Sequence, residues 1–389
     1  MDKRIECEYE SRIRKTRLEA AKRGYSALLV FSLAPRRVGD TLYLVGHQPM
    51  MPGHPRRYGF RGRGYSVLVL PVDADQEPCL ITSTPFYEKD LYVKNVIYND
   101  DVPYEIGKAI AGFGIDRCDI GIVGMDIVSV ELFEDLKAEA VHARFHSAND
   151  IVMNLRAMKS PYEIELLRTG AEIGDEVALL LRDHLRPGLT EKEVYQFITS
   201  ELSKRGVTGA FATCQSGCRS ETAYDLIPAS DKIIDDGDMV HMEINGKYQG
   251  YMIDICRSTV VGKANEKQIF VLETCLEMFE KSIAVMKPDV ISEDLEKISG
   301  EIALKHGFTK NHTRAFGGPA TYLGHAIGLG TDEPPVVAQK DKTPLMPGMV
   351  ITIEPGLYQT GVGGCRIEDE ILVTENGYVN LNHSEKRWW

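Results

Sequence analysis

Short β-branched and aliphatic runs alternate with amphipathic stretches through the first 156 residues. "SALLVF" (26–31), "TLYLVG" (41–46), "YSVLVLP" (65–71), "PCLITS" (78–83) and "DIGIVG" (119–124) have the length and residue types of strands. Residues around 8–24 and 129–139 space their apolar positions as helices do. The pattern predicts an α/β N-terminal domain over 1–156.

The pattern changes near residue 157. Ser160-Pro161-Tyr162-Glu163 can cap and start a helix that runs to Pro187-Gly188, and Thr190-Glu191-Lys192-Glu193 opens a second one ending near Gly206. A hairpin follows, its outgoing strand reaching about Val261. Helical spacing returns over roughly 264–286 and 292–306, and strands are expected at 348–354 and 364–373. Helices gathered on one side of antiparallel strands predict an α+β C-terminal domain over 157–389.

The hairpin raises a chemical question. In "MVHMEINGKYQGYMID" (239–254), alternation puts His241, Glu243 and Asn245 on one face, with Met252, Asp254 and Cys256 on the next strand. A turn at Tyr248-Gln249 sets Glu243 opposite Asp254; a turn at Asn245-Gly246 is the alternative. Two ionised carboxylates held close in a dry interior repel unless a cation lies between them. A second hairpin repeats the oddity, with Glu354 ending "VITIEPGLY" and Glu368 and Glu370 in "CRIEDEILV". Between them, "GHAIGLG" presents His325 among glycines, where backbone can approach a ligand. Glu243, Asp254, His325, Glu354 and Glu368 are therefore candidate ligands for one or two divalent ions such as Mn, Co, Zn or Fe. The blander alternative is that a lone strand Glu is solvated and that His325 is a hydrogen-bonded loop residue.

Charge and cysteine usage narrow the partners. The chain has 389 residues, 26% of them charged, and a net charge of −12, which disfavours nucleic acid and anionic membrane surfaces. No apolar run approaches the roughly 18 residues of a membrane span, and "MDKRIECEYESRIRK" lacks the apolar core of a secretory signal. Eight scattered cysteines suit reduced thiols in the cytoplasm; Cys214 and Cys218 form a close pair but a weak zinc signal.

"GDMVHMEINGKYQGYMIDICRSTVVG", "GHAIGLGTDEPP", "MPGMVITIEPGLY" and "GGCRIEDEILVTENG" resemble the pita-bread family of Xaa-Pro aminopeptidases, prolidases, methionine aminopeptidases and creatinase. The resemblance covers about 155–380 and suits the creatinase and prolidase branch. It implies a dinuclear metal centre, a small-molecule or dipeptide substrate and a homodimer. By position its ligands fall on Glu243, Asp254, His325, Glu354 and Glu368, with Glu243 standing where the family has Asp. Three family histidines are replaced: Thr321 and Asp332 stand at two of the places, and "AYDLIPASD" (223–231) contains none.

Those departures weigh against ordinary Xaa-Pro cleavage. The first expectation is a metal-dependent hydrolase that breaks a C–N bond in a small polar, anionic substrate, with Asp332 or Asp225 as general base and Glu354 at the reacting centre. The alternatives are a Xaa-Pro dipeptidase with rearranged proton shuttles, a small-molecule lyase, and a non-catalytic scaffold. "GHQPMMPGHPRRYGFRGRGY" (46–65) gathers Arg56, Arg57, Arg61, Arg63, His47 and His54. In creatinase-like dimers the N-terminal domain reaches towards the partner's active site, so Arg56 and Arg57 are substrate-binding candidates, beside Arg366 and His241. His241 reads as a ligand, a support for a ligand, or a buried hydrogen-bonded residue, the last two being favoured.

Overall fold

A computed structural model describes residues 3–34, 39–49, 60–84, 86, 91–221, 227–309, 322–331 and 333–389. Arg56, Arg57, Asp225 and Asp332 lie outside these residues. The chain divides into two compact units, Met1–Arg156 and Ala157–Trp389.

In the first unit, strands β1 (Ala27–Leu33), β2 (Tyr65–Pro71), β3 (Cys79–Thr82), β4 (Asn95–Tyr98), β5 (Asp119–Val123) and β6 (Arg144–Ser147) form one sheet in the order β4-β3-β2-β1-β5-β6. The β1–β2 and β2–β3 pairs are antiparallel, while β1–β5, β3–β4 and β5–β6 are parallel. Helices α1 (Lys3–Lys22), α2 (Gly39–Val45), α3 (Val102–Gly112) and α4 (Val130–Glu139) accompany it, and α5 (Asn149–Ala157) follows. The expected strand over 41–46 is helix α2. Its apolar run is too short to separate strand from helix by periodicity. Gly46 at φ +76°, with its N–H donating to the Leu42 carbonyl at 3.1 Å, ends the run as helices end.

His47 is buried here, its Nε2 2.8 Å from Ser66 Oγ, 3.3 Å from Thr82 Oγ1 and 3.4 Å from Thr84 Oγ1. Arg61 makes two 2.9 Å hydrogen bonds to Asp101 and one of 2.7 Å to Glu139, and Arg63 lies over the Phe60 ring. His47, Arg61 and Arg63 of the 46–65 stretch thus have partners within their own unit. Burial pushes the His47 imidazole down to about 4, against about 6.5 when unfolded. The native state therefore resists protonation that the unfolded chain accepts. Stability is fully present above pH ~6.5 and falls as pH drops towards 4, by about 3 kcal/mol in all. Denaturant unfolding between pH 7 and 4 should show this slope, and a His47→Gln variant should flatten it.

The second unit opens with α6 (Pro161–His184) and α7 (Glu191–Lys204), each started by a reciprocal capping box, Ser160 with Glu163 and Thr190 with Glu193. Strands β7 (Thr208–Ser216), β8 (Met239–Tyr248) and β9 (Tyr251–Val260) form an antiparallel sheet. Helix α6 packs close on β9 because Gly170 and Gly174 leave room: a Cβ at either would lie 3.1 Å from Ile253. Helices α8 (Glu266–Ala284) and α9 (Ser292–Lys305) share a core with the later strands β10 (Tyr322–Ala326), β11 (Glu333–Ala338), β12 (Val350–Ile353), β13 (Gly356–Gln359), β14 (Gly363–Arg366) and β15 (Asp369–Thr374), and β16 (Gly377–Asn380) pairs with β15. The single strand expected over 364–373 is two. The break falls at Ile367-Glu368, where Glu368 leaves its neighbours to pair with Cys256 of β9.

No helix among the described residues is long and apolar enough to cross a membrane.

Candidate metal centre

The β8–β9 hairpin turns at Gln249-Gly250, whose φ values are +48° and +90°. Two successive left-handed residues make the tight turn that suits strand twist, and glycine takes the second place at no steric cost. The register differs from the expected one by two: Glu243 faces Cys256, and Asp254 faces Asn245. A shift of two preserves side-chain faces, so His241, Glu243, Asn245, Asp254, Cys256 and Ser258 still share one surface. Glu243 and Asp254 are diagonal neighbours there rather than a direct pair.

Three features of β9 gather the later residues onto that surface. Ser258 Oγ donates to the Arg366 carbonyl at 2.8 Å and accepts from the Arg366 N–H at 2.9 Å. The Glu368 N–H donates to the Cys256 carbonyl at 3.1 Å. The Asp254 N–H donates to Glu370 Oε1 at 2.9 Å. Burial, reinforced by Asp175, Glu368 and Asp369, raises the Glu370 carboxyl well above the usual carboxylate range. On the far face of β9, the fully buried Arg257 donates to the carbonyls of Cys256 (3.0 Å) and Glu368 (2.8 Å), to Ser384 Oγ (2.7 Å), and pairs with Asp369 at 2.8 Å. Strand β10 brings in His325. A side chain at the preceding Gly324 would run into the Thr352 carbonyl, so glycine permits the close approach of β10 and β12.

The result is a buried cluster. Asp254, His325 and Glu368 each offer one donor atom, all within 4.8 Å of one another. The His325 Nδ1–H donates to the Ala326 carbonyl at 3.1 Å, which leaves Nε2 as the lone-pair nitrogen. Nε2 lies 3.6 Å from Asp254 Oδ2 and 3.5 Å from Glu354 Oε1. Both separations exceed the usual hydrogen-bond range of roughly 2.7–3.2 Å. Both match the spacing of about 3.4 Å between tetrahedral donors around one ion at ~2.1 Å. Carboxylate oxygens and one imidazole nitrogen, buried together, fit a divalent cation.

The other expected residues fall differently. Glu243 forms an ion pair with Arg366 Nη2 and is not among the three clustered donors. Arg366 is fully buried, and its Nε is 3.9 Å from Glu354 Oε2. His241 is also fully buried, edge-on to the Tyr358 ring with centroids 6.0 Å apart. Cys214 is buried and Cys218 exposed, with no disulfide between them. Arg257 and Tyr358 escaped the sequence reading. For Arg257 the signal was present, since an Arg in a strand with no outward face demands a carboxylate, and Asp369 follows Glu368 directly.

Comparison with known proteins identifies the family. Residues 165–375 match the model of metallopeptidase family M24. The chain is 37% identical over 257 residues to a Xaa-Pro dipeptidase of Pyrococcus horikoshii, a match covering 65% of this chain and 70% of that protein. Its structure is similar to that of the prolidase from Pyrococcus horikoshii, with a TM-score of 0.81, 28% identity, and coverage of 97% of this chain and 100% of the other. The prolidase of Thermococcus sibiricus gives a TM-score of 0.82 at 26% identity, covering 100% and 98%. With the family's two-domain pita-bread architecture and a buried donor cluster in the matched segment, the chain belongs to metallopeptidase family M24 and is a metal-dependent hydrolase of that family.

Proposed function

We propose that the protein hydrolyses a C–N bond in a small polar substrate bearing an acid group, at an ion held by Asp254, His325, Glu354 and Glu368. The observation that carries this reading is the cluster itself, a lone-pair imidazole nitrogen 3.5 to 3.6 Å from two buried carboxylates. A divalent ion such as Mn, Co, Zn or Fe supplies Lewis acidity there, polarising a carbonyl and making water more acidic. Glu354 is then the proton carrier. Its Oε1 points to His325 and its Oε2 to Arg366, so it is held from both sides. It takes a proton from the attacking water and returns it to the departing nitrogen, so that one O–H bond and the C–N bond break while a C–O and an N–H bond form. The buried apolar cores behind β9 and β12 keep bulk water from the back of the site.

The loss of the family's histidines at 321, 332 and 223–231 favours a substrate other than an ordinary Xaa-Pro peptide. Asp332 and Asp225 are the proposed alternatives to Glu354 as base, and Arg56 and Arg57 the proposed partners of the substrate's acid group, supplied across a homodimer. The Pyrococcus relatives called Xaa-Pro dipeptidase support a second reading, cleavage of Xaa-Pro dipeptides by a rearranged proton shuttle. Metal-reconstituted protein assayed against small acid-bearing amides, betaines and Xaa-Pro dipeptides separates the two. The first reading predicts amine release from a small amide at a kcat/KM at least about a hundredfold above any dipeptide, ~2.7 kcal/mol in the barrier. The reverse ratio would establish the second.

A further inference from the structure

We propose that this chain holds one divalent ion rather than two, because Glu243, the carboxylate a second ion would need, is paired with the buried Arg366 guanidinium. The inference rests on the metal site proposed above and concerns how many ions it takes.

Four donors already account for a single ion. Asp254, His325 and Glu368 lie within 4.8 Å of one another, and Glu354 Oε1 is 3.5 Å from the same His325 nitrogen. Zinc-type centres are complete with four protein donors, or three and a water. A second ion about 3.5–4 Å away needs a carboxylate on its far side. On the β8–β9 surface, the carboxylate beyond Asp254 is Glu243. Its longer side chain reaches Arg366 of β14 and pairs with it. Arg366 is fully buried, so the guanidinium has little room to withdraw. Its Nε is 3.9 Å from Glu354 Oε2, so one cationic side chain spans Glu243 and Glu354. A divalent ion entering that place would meet a desolvated like charge. An always-protonated Arg cannot yield by losing its proton.

The test is a count of ions with a spectroscopic reading. Full-length protein is stripped with chelator, reloaded with excess Mn(II), freed of unbound ion by gel filtration, and examined by elemental analysis and electron paramagnetic resonance. The inference predicts one equivalent with the six-line signal of an isolated Mn(II) ion, retained in Glu243→Gln and lost in Glu354→Ala. Two equivalents with a spin-coupled spectrum, falling to one in Glu243→Gln, would make Glu243 a ligand and overturn it while leaving the metal-dependent reading intact. No bound ion in the wild type would overturn both. The wild-type count decides even where the Glu243 variant fails to fold.

Discussion

In an Asp254→Asn variant the melting temperature no longer rises when Mn(II) is added, and kcat falls about a thousandfold, ~4 kcal/mol of barrier. The two readouts follow from one feature. Asp254 is buried, 3.6 Å from the imidazole nitrogen it shares with Glu354. Without a cation, these carboxylates repel in a site that cannot solvate them. Neutralising Asp254 relieves that repulsion, so the metal-stripped variant should melt at or above the stripped wild type. The wild type regains stability by binding an ion only in its folded state, about 2.7 kcal/mol when free metal is a hundred times Kd. The variant has lost that source. Thermal melts with and without metal, beside kcat on the substrate the screen identifies, check both halves. A residue with a merely structural role would lower the melting temperature equally in the two conditions.

Arg257→Met is expected to destabilise the protein by about 3–5 kcal/mol and to weaken metal binding by about ten- to a hundredfold. Arg257 is fully buried and does not belong to the donor cluster. It donates to the Glu368 carbonyl and pairs with Asp369 at 2.8 Å, so it holds the backbone from which Glu368 projects. Removing it strands the Asp369 carboxylate with Lys386 and Asn380 as its remaining polar partners. The double variant Arg257→Met, Asp369→Asn should recover part of the stability without restoring metal affinity, because the anchor of Glu368 is still missing. Urea denaturation and metal titration by calorimetry measure the two effects separately.

What could be read in the sequence was what is decided locally or by parity. The capping boxes at Ser160 and Thr190 involve residues three apart, and both are present in the structure. The common face of Glu243 and Asp254 follows from strand alternation alone and survives the two-residue shift in register. The register itself depended on Gln249 adopting a left-handed conformation, which its residue type does not announce. "TLYLVG" misled because an apolar run of that length is equally consistent with a buried strand, and only Gly46 hints at a helix end. The ion pair of Glu243 with Arg366 joins residues 123 positions apart, and the anchor from Arg257 to Glu368 spans 111. Pairings at such distance are set by tertiary packing, so the carboxylates and the imidazole could be named from the sequence, but the pairing of Glu243 with Arg366 could not.

Whether Asp254, His325 and Glu368 hold a metal ion is tested most directly by anomalous diffraction from crystals of the protein grown with Mn(II), recorded on both sides of the metal's absorption edge. One anomalous peak is expected within about 2.0–2.4 Å of a donor atom from each of the three residues. A map without a peak at that position, or with its peak between Glu243 and Arg366, would contradict it.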